Sequence, residues 1–173
     1  MTTNNNAGCL SAIFSIFSPK KPTQIIYPYR LRKDFLSPAE FTFYKVLEST
    51  IKDKLIIQCK VGLGDIFEVD QPNKNKGYSN RINQKHVDFL LCEPSTIKPI
   101  LGIELDDATH KRPDRQERDK LVENIFRVAK LPLLRIPVRQ AYSPQELFTQ
   151  IKNAVTKQRQ ERAQNIAELK EKL

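Results

Sequence analysis

Two acidic side chains on neighbouring predicted strands are the residues best placed to carry out chemistry. Asp88 interrupts the apolar run 86–92, and Glu104 interrupts the apolar run 100–105. If the hairpin between the two runs folds symmetrically about Thr96, position 88 falls opposite position 104, where Cβ atoms lie roughly 4.5 to 5.5 Å apart. Two carboxylates at that separation repel each other, and burial increases the repulsion. A divalent cation that prefers oxygen ligands, Mg²⁺ or Mn²⁺, is the expected compensation.

The same acids also have a purely structural interpretation. Glu104 and Asp106 would then lie at a solvated strand end, or pair with arginine or lysine from the following helix. Against this, Asp88 and Glu104 stand in otherwise apolar strands, and the register brings them together. The stretch 71–87 contains no acid and carries the basic residues Lys74, Lys76, Arg81 and Lys85. Such a pair beside a basic stretch suits phosphodiester hydrolysis, because a cation polarises the phosphate and acidifies a bound water while basic side chains hold the strand.

Helices are predicted on both sides of these strands. Residues 37–40 (Ser-Pro-Ala-Glu) and 143–146 (Ser-Pro-Gln-Glu) each combine a capping box with proline at the first helical position. A third helix is predicted over 114–129 from its apolar periodicity. The core-facing positions are expected to be Phe41, Tyr44, Leu47 and Ile51 in the first helix, Leu121, Val122, Ile125, Phe126 and Ala129 in the middle one, and Leu147, Ile151 and Val155 in the last.

The strand-like runs alternate with these helices. They cover 55–61, 86–92, 100–105 and 133–138, and a shorter apolar piece follows the first of them at 66–69. Proline and serine between the second and third runs indicate a hairpin. The order α-β-β-β-α-β-α predicts an α/β fold, with a mixed sheet flanked by helices.

The composition is that of a basic, soluble protein. The chain has 173 residues, a formal net charge of +9 and 28% charged residues. This balance favours polyanionic partners, with nucleic acid ahead of anionic membrane surfaces. We expect one domain over 25–156, a flexible arm over 1–24 and a charged helical tail over 157–173.

The cysteines and the apolar N-terminal stretch indicate the cellular compartment in which the protein is expected. Cys9, Cys59 and Cys92 are too far apart for a Cys-x-x-Cys pair, so neither a disulfide framework nor a cysteine-rich zinc site is expected. The stretch 9–17 is too short to span a bilayer, and no basic residue precedes it as in a signal peptide. A cytoplasmic protein without stable membrane insertion is therefore expected.

A longer string of residues resembles a known superfamily. It reads Ile103-Glu104-Leu105-Asp106-Asp107-Ala108-Thr109-His110, then Arg115-Gln116-Glu117-Arg118-Asp119, and then Leu133-Leu134-Arg135-Ile136. With Asp88 before it, the string resembles the PD-(D/E)XK nucleases and, among them, the bacterial domain-of-unknown-function family 2726, over about residues 36–138. It is also similar to the Glu-x-Asp…His variants related to the very-short-patch mismatch-repair endonucleases. Asp106 departs from the superfamily motif, which has lysine at that place.

The resemblance implies a restriction-endonuclease-like core that contains a Mg²⁺ or Mn²⁺ site. The implied metal ligands are Asp88, Glu104, the Leu105 carbonyl and Asp106, the last able to bind a second cation. The implied catalytic residues are Asp88, Glu104, Asp106, His110 and Glu40, with His110 as a general base or leaving-group acid. Two of these have alternatives: His110 as a solvated loop histidine, and Glu40 as the glutamate of a capping box.

Basic residues are expected to contact nucleic acid. They are Lys74, Lys76, Arg81, Lys85, Arg115, Arg118 and Arg135. The three arginines of the string have an alternative role, which is pairing with the nearby acids Asp106, Asp107 and Asp119. Lys85 or Lys120 would take the place of the motif lysine that is missing at position 106. Alternatively, each is an ordinary basic surface residue.

Three functions remain open at this point. The leading hypothesis is a metal-dependent deoxyribonuclease, with DNA expected ahead of RNA. The second is a catalytically degenerate nuclease fold that binds nucleic acid without cutting it, which the missing lysine at position 106 favours. The third is an interaction protein that uses the stretch 9–17 with Lys20 and Lys21 as an interfacial anchor or partner helix.

Overall fold

The computed structural model describes residues 26–107 and 113–171, without the side chains of residues 113–116, 162, 165 and 168–171. The chain divides into two compact units, Met1–Lys33 and Asp34–Leu173. In the first unit, the described residues 26–33 are exposed and form neither helix nor strand, and the rings of Tyr27 and Tyr29 stack 6.2 Å apart. All helices and strands in the described ranges belong to the second unit.

The second unit contains the seven predicted helices and strands in the predicted order, with two further short helices between its first two strands. Its elements are α1 (Pro38–Ile51), a 3₁₀ turn (Lys52–Lys54), β1 (Ile56–Gly62), α2 (Leu63–Ile66), α3 (Lys76–Asn83), β2 (His86–Cys92), β3 (Pro99–Asp106), α4 (Pro113–Val128), β4 (Leu133–Pro137) and α5 (Pro144–Glu171). The capping box at the start of α1 is formed in full, and Ser143 Oγ accepts a hydrogen bond from the Glu146 N–H at the start of α5. Residues 157–171 of the predicted tail continue α5.

The four strands form one mixed sheet in the order β1-β2-β3-β4. β1, β2 and β3 run antiparallel, and β4 pairs with β3 in parallel. The parallel pair is connected through α4, since parallel neighbours need a crossover. The predicted α/β class with a mixed sheet is therefore confirmed.

Two hydrophobic cores hold helices against this sheet. The first core packs α1 and α5 through Phe43, Leu47, Ile51, Leu147 and Ile151, against Phe89, Leu91, Leu101, Ile103, Leu105 and Ile136 of the sheet. The second core packs α2, α3, α4 and the α4–β4 turn through Leu63, Ile82, Val122, Phe126 and Leu131, against Val87, Leu90 and Cys92. The ring of Phe126 lies directly over Gly102, where a Cβ atom would collide with it.

Two predicted core positions are wrong, Phe41 and the exposed Ala129, and residues 63–83 have a structure that was not predicted. Phe41 is 54% exposed, and the fully buried aromatic of α1 is Phe43, because positions 43, 47 and 51 form the face that meets the sheet. The apolar piece 66–69 is not a strand, since Ile66 ends α2 and residues 67–69 form no regular element. The basic stretch contains the helix α3, a short segment with Gly77 and two asparagines that leaves only Ile82 buried and so gives a weak periodic signal.

Candidate functional site

The site lies where β2 and β3 stop pairing. Phe89 and Ile103 are the last paired residues toward this end, which makes Asp88 and Glu104 the next positions on the two strands. The Leu105 N–H donates to Asp88 Oδ2 at 2.9 Å, so the Asp88 side chain takes the place of a backbone acceptor. This arrangement agrees with the register that symmetry about Thr96 predicts.

Glu104 is a buried acid with an unsatisfied oxygen. It is 7% exposed, and its Oε1 accepts no hydrogen bond from any described group. Burial, followed by repulsion from Asp88, raises the pKa of Glu104 to about 7, against the opposing attraction of Arg135 and Arg118. Burial also raises the pKa of Asp88, against the hydrogen bond from Leu105. A buried charge without a partner is costly, so the ionised form of Glu104 destabilises the fold.

The two acids open into a pocket of about 300 Å³. Its lining is rich in acids, namely Glu40, Asp88, Glu104, Asp107 and Asp119, and also includes His86, Arg118, Ser37, Ala39, Leu105 and Val138. The acids come from α1, α4 and the ends of β2 and β3, so the fold gathers them from distant parts of the sequence. Acidic side chains therefore outnumber basic ones in this lining.

Glu40 forms the capping box considered for it and also lines the pocket, while its catalytic role stays a prediction. Its Oε2 accepts the Ser37 N–H at 2.7 Å in the capping box, and its Oε1 accepts Lys60 Nζ at 2.7 Å. Burial disfavours its charge, but the hydrogen bonds from Lys60 and Ser37 outweigh burial and lower the pKa of Glu40. Lys60 was not singled out from the sequence, although it interrupts an apolar strand as Asp88 and Glu104 do.

Arg135 joins three carboxylates, of which Asp119 lines the pocket. Its Nη1 lies 2.7 Å from Asp106 Oδ1, while Nη2 and Nε lie 3.3 Å from Asp119 and 3.1 Å from Glu123 without aligned hydrogen bonds. This geometry favours the ion-pair alternative for Arg135 over phosphate contact. Asp106 is directed at Arg135 and lies outside the residues that line the pocket.

The other predicted residues are spread over the surface. Arg118 lines the pocket and is exposed, Lys85 is half-buried, and Lys74, Lys76, Arg81 and Lys120 are exposed. The Arg81 guanidinium lies over the ring of Tyr78, 5.3 Å from its centroid, in a different groove from the acids. His110 and the side chain of Arg115 lie outside the described residues. Their predicted roles, and those of the basic residues toward nucleic acid, stay predictions.

Side chains alone do not complete a metal centre in the described part of the chain. No group of three or more His, Cys, Asp or Glu residues there is arranged to hold a metal ion. A metal ion at Asp88 and Glu104 would therefore take its remaining ligands from backbone oxygens, water or substrate. In 26–107 and 113–171, no helix combines the length and the apolar character needed to cross a bilayer.

Comparison with known proteins identifies a family without an assigned activity. A family described as "Protein of unknown function (DUF2726)" matches residues 32–155, which include every described element of the sheet and the pocket. No curated protein and no solved structure matches the chain.

Proposed function

We propose that this chain, which belongs to the DUF2726 family, binds a divalent metal ion between Asp88 and Glu104 and hydrolyses phosphodiester bonds, with DNA as the substrate ahead of RNA. The observation that carries the proposal is Glu104 Oε1, which is buried beside a second carboxylate and accepts no hydrogen bond from the described residues. A cation bound between Asp88 and Glu104 would satisfy this oxygen and offset the repulsion between the two carboxylates, and hard divalent cations prefer oxygen ligands.

The backbone of Leu105 supports a third ligand. The N–H and C=O of one strand residue point to the same side, and successive residues point to opposite sides. The Leu105 N–H points to Asp88, and the Asp106 carbonyl accepts the Val138 N–H on the other side. The Leu105 carbonyl therefore points toward β2, the side on which Asp88 lies.

The residues of the pocket would divide the work of hydrolysis. Mg²⁺ held there would polarise the phosphate and acidify an attacking water. Arg118 would hold phosphoryl oxygens, and the Leu105 N–H would keep Asp88 oriented. In the reaction a water oxygen bonds to phosphorus and the bond to the leaving ester oxygen breaks. The water gives up one proton to solvent, and the leaving oxygen takes one up.

The architecture supports the same proposal. The order of elements matches the restriction-endonuclease-like core that the PD-(D/E)XK resemblance implies, and its two acids fall at the ends of β2 and β3.

A second candidate, a protein that binds nucleic acid without cutting it, is favoured by Asp106. This residue stands where the superfamily motif has lysine, and it is ion-paired with Arg135.

Cleavage of supercoiled plasmid and single-stranded DNA tests the proposal. Wild type, Glu104→Gln and a control, Glu68→Gln at an exposed site, are assayed with Mg²⁺, with Mn²⁺ and with a chelator. We expect metal-dependent cutting that Glu104→Gln lowers at least about 100-fold, as loss of one metal ligand should, and that Glu68→Gln leaves unchanged. Cutting that survives Glu104→Gln refutes the site, and DNA binding without cutting by wild type establishes the second candidate.

A further inference from the structure

Lys60 has an unusual backbone conformation for a strand residue. Its φ is 52°, in the left-handed region that side chains other than glycine, asparagine and aspartate seldom adopt. Lys60 is left out of the pairing between β1 and β2, in which Cys59 pairs with Phe89 and Val61 pairs with Val87. In that register Lys60 is the position opposite Asp88.

The side-chain alternation of both strands shifts at this point. Cys59 and Phe89 pack in the first core, and regular alternation would place Val61 and Val87 there as well. Both valines instead pack in the second core. This interruption of the side-chain alternation at positions 60 and 88 turns Lys60 toward the face of the sheet that α1 covers.

This turn brings the Lys60 ammonium to the rim of the acidic pocket. Nζ lies 2.7 Å from Glu40 Oε1, and Glu40 lines the pocket with Asp88 and Glu104. The Lys60 side chain is only 21% exposed, and its charge acts on Asp88. A simple surface ion pair between β1 and α1 would not require a strained backbone, because a lysine stem is long and flexible. Strain of this kind is typical of functional positions.

A phosphodiester that enters this pocket meets a lining of five acids. An anion at this place needs nearby positive groups to offset its repulsion by these carboxylates. Arg118 supplies one from α4, on the face of the second core, and Lys60 stands on the other face. The two cations would therefore flank a phosphate placed at the sheet end.

We propose that Lys60 is a catalytic residue that binds the phosphoryl oxygens of the substrate, and that Glu40 is a positioning residue that holds the ammonium in place. This inference rests on the proposed phosphodiesterase function. Lys60 forms no bond to phosphorus and transfers no proton; its contribution is to bind negative charge. The sequence offers a matched control in Lys52, which also has a positive φ, 48°, and is exposed at the end of α1.

The test compares Lys60→Gly, Lys60→Arg and the control Lys52→Gly with wild type. Glycine tolerates the backbone conformation at both positions, so the variants remove an ammonium without adding strain. Three quantities are measured: Mn²⁺ affinity by calorimetry, affinity for a labelled single-stranded oligonucleotide in Ca²⁺ by fluorescence anisotropy, and the cleavage rate.

We expect Lys60→Gly to bind Mn²⁺ at least as tightly as wild type, because a nearby positive charge is gone. Oligonucleotide affinity and cleavage should fall roughly 10- to 100-fold, the loss that one hydrogen bond between charged groups predicts. Lys60→Arg should keep most of the oligonucleotide affinity, and Lys52→Gly should match wild type in all three measurements.

Unchanged oligonucleotide affinity and cleavage in Lys60→Gly would overturn the assignment of Lys60 alone. A parallel loss of Mn²⁺ affinity would also overturn it, since Lys60 would then only maintain the structure around Asp88. A wild type that neither binds Mn²⁺ nor cuts would overturn the proposed function, and this inference with it.

Discussion

Replacing Glu104 by glutamine should stabilise the cation-free protein in mildly alkaline solution. Folding raises the pKa of Glu104 from 4.5 to about 7, so the folded state binds this proton more tightly than the unfolded state does. As the pH rises from 4.5 through 7, ionisation therefore takes stability away from the folded protein. At about 1.4 kcal/mol for each pH unit between the two pKa values, the loss reaches up to about 3 kcal/mol above pH 7.

Glutamine has nearly the same shape and stays neutral, so it does not incur this loss. Urea unfolding of wild type and Glu104→Gln in the presence of a chelator measures the difference in the free energy of unfolding. The variant should be more stable by up to about 3 kcal/mol at pH 8 and nearly equal to wild type at pH 5. Glu68→Gln, at an exposed position, is the control and should show no such pH dependence. An equal effect of Glu104→Gln at both pH values, or none at pH 8, would refute the account of a buried, repelled carboxylate.

Two further predictions concern the scaffold around the site. Gly102→Ala should lower the free energy of unfolding by about 1 to 3 kcal/mol, because the new Cβ meets the ring of Phe126. A change below about 0.5 kcal/mol in urea unfolding would contradict this, since the ring would then move freely aside. Ser37→Ala should cost about 1 kcal/mol through the lost cap of α1. Glu40 keeps its hydrogen bond from the backbone N–H of residue 37, so the affinity for Mn²⁺ should be unchanged. An affinity for Mn²⁺ that falls together with the stability would contradict the assignment of Glu40 as a residue that does not bind the metal.

The parts of the site predicted from the sequence follow from local pattern. Asp88 and Glu104 stand out because each interrupts an apolar strand, and the short turn between β2 and β3 fixes their register. The capping box of α1 was readable because serine and glutamate three residues apart have a known local geometry. These signals need no knowledge of distant contacts.

The parts that were missed depend on backbone conformation and tertiary packing. Lys60 reaches Glu40 at the rim of the pocket because its backbone is left-handed there. Its residue type does not predict this conformation, since lysine rarely adopts it. Arg135 could be assigned to phosphate or to carboxylates on sequence grounds, and the arrangement of β4 beside α4 favours the carboxylates. Phe41 and Phe43 fit a helical period comparably well until the position of the sheet selects one face.

The measurement that tests the central claim most directly is calorimetric titration of Mn²⁺ into the full chain. Wild type and the Glu68→Gln control should each bind the ion with the same affinity, and Glu104→Gln should lose at least 10-fold in affinity, because a metal ligand contributes at least that much. Binding that Glu104→Gln leaves unchanged, or no binding by wild type, would contradict the claim that Asp88 and Glu104 form a metal site.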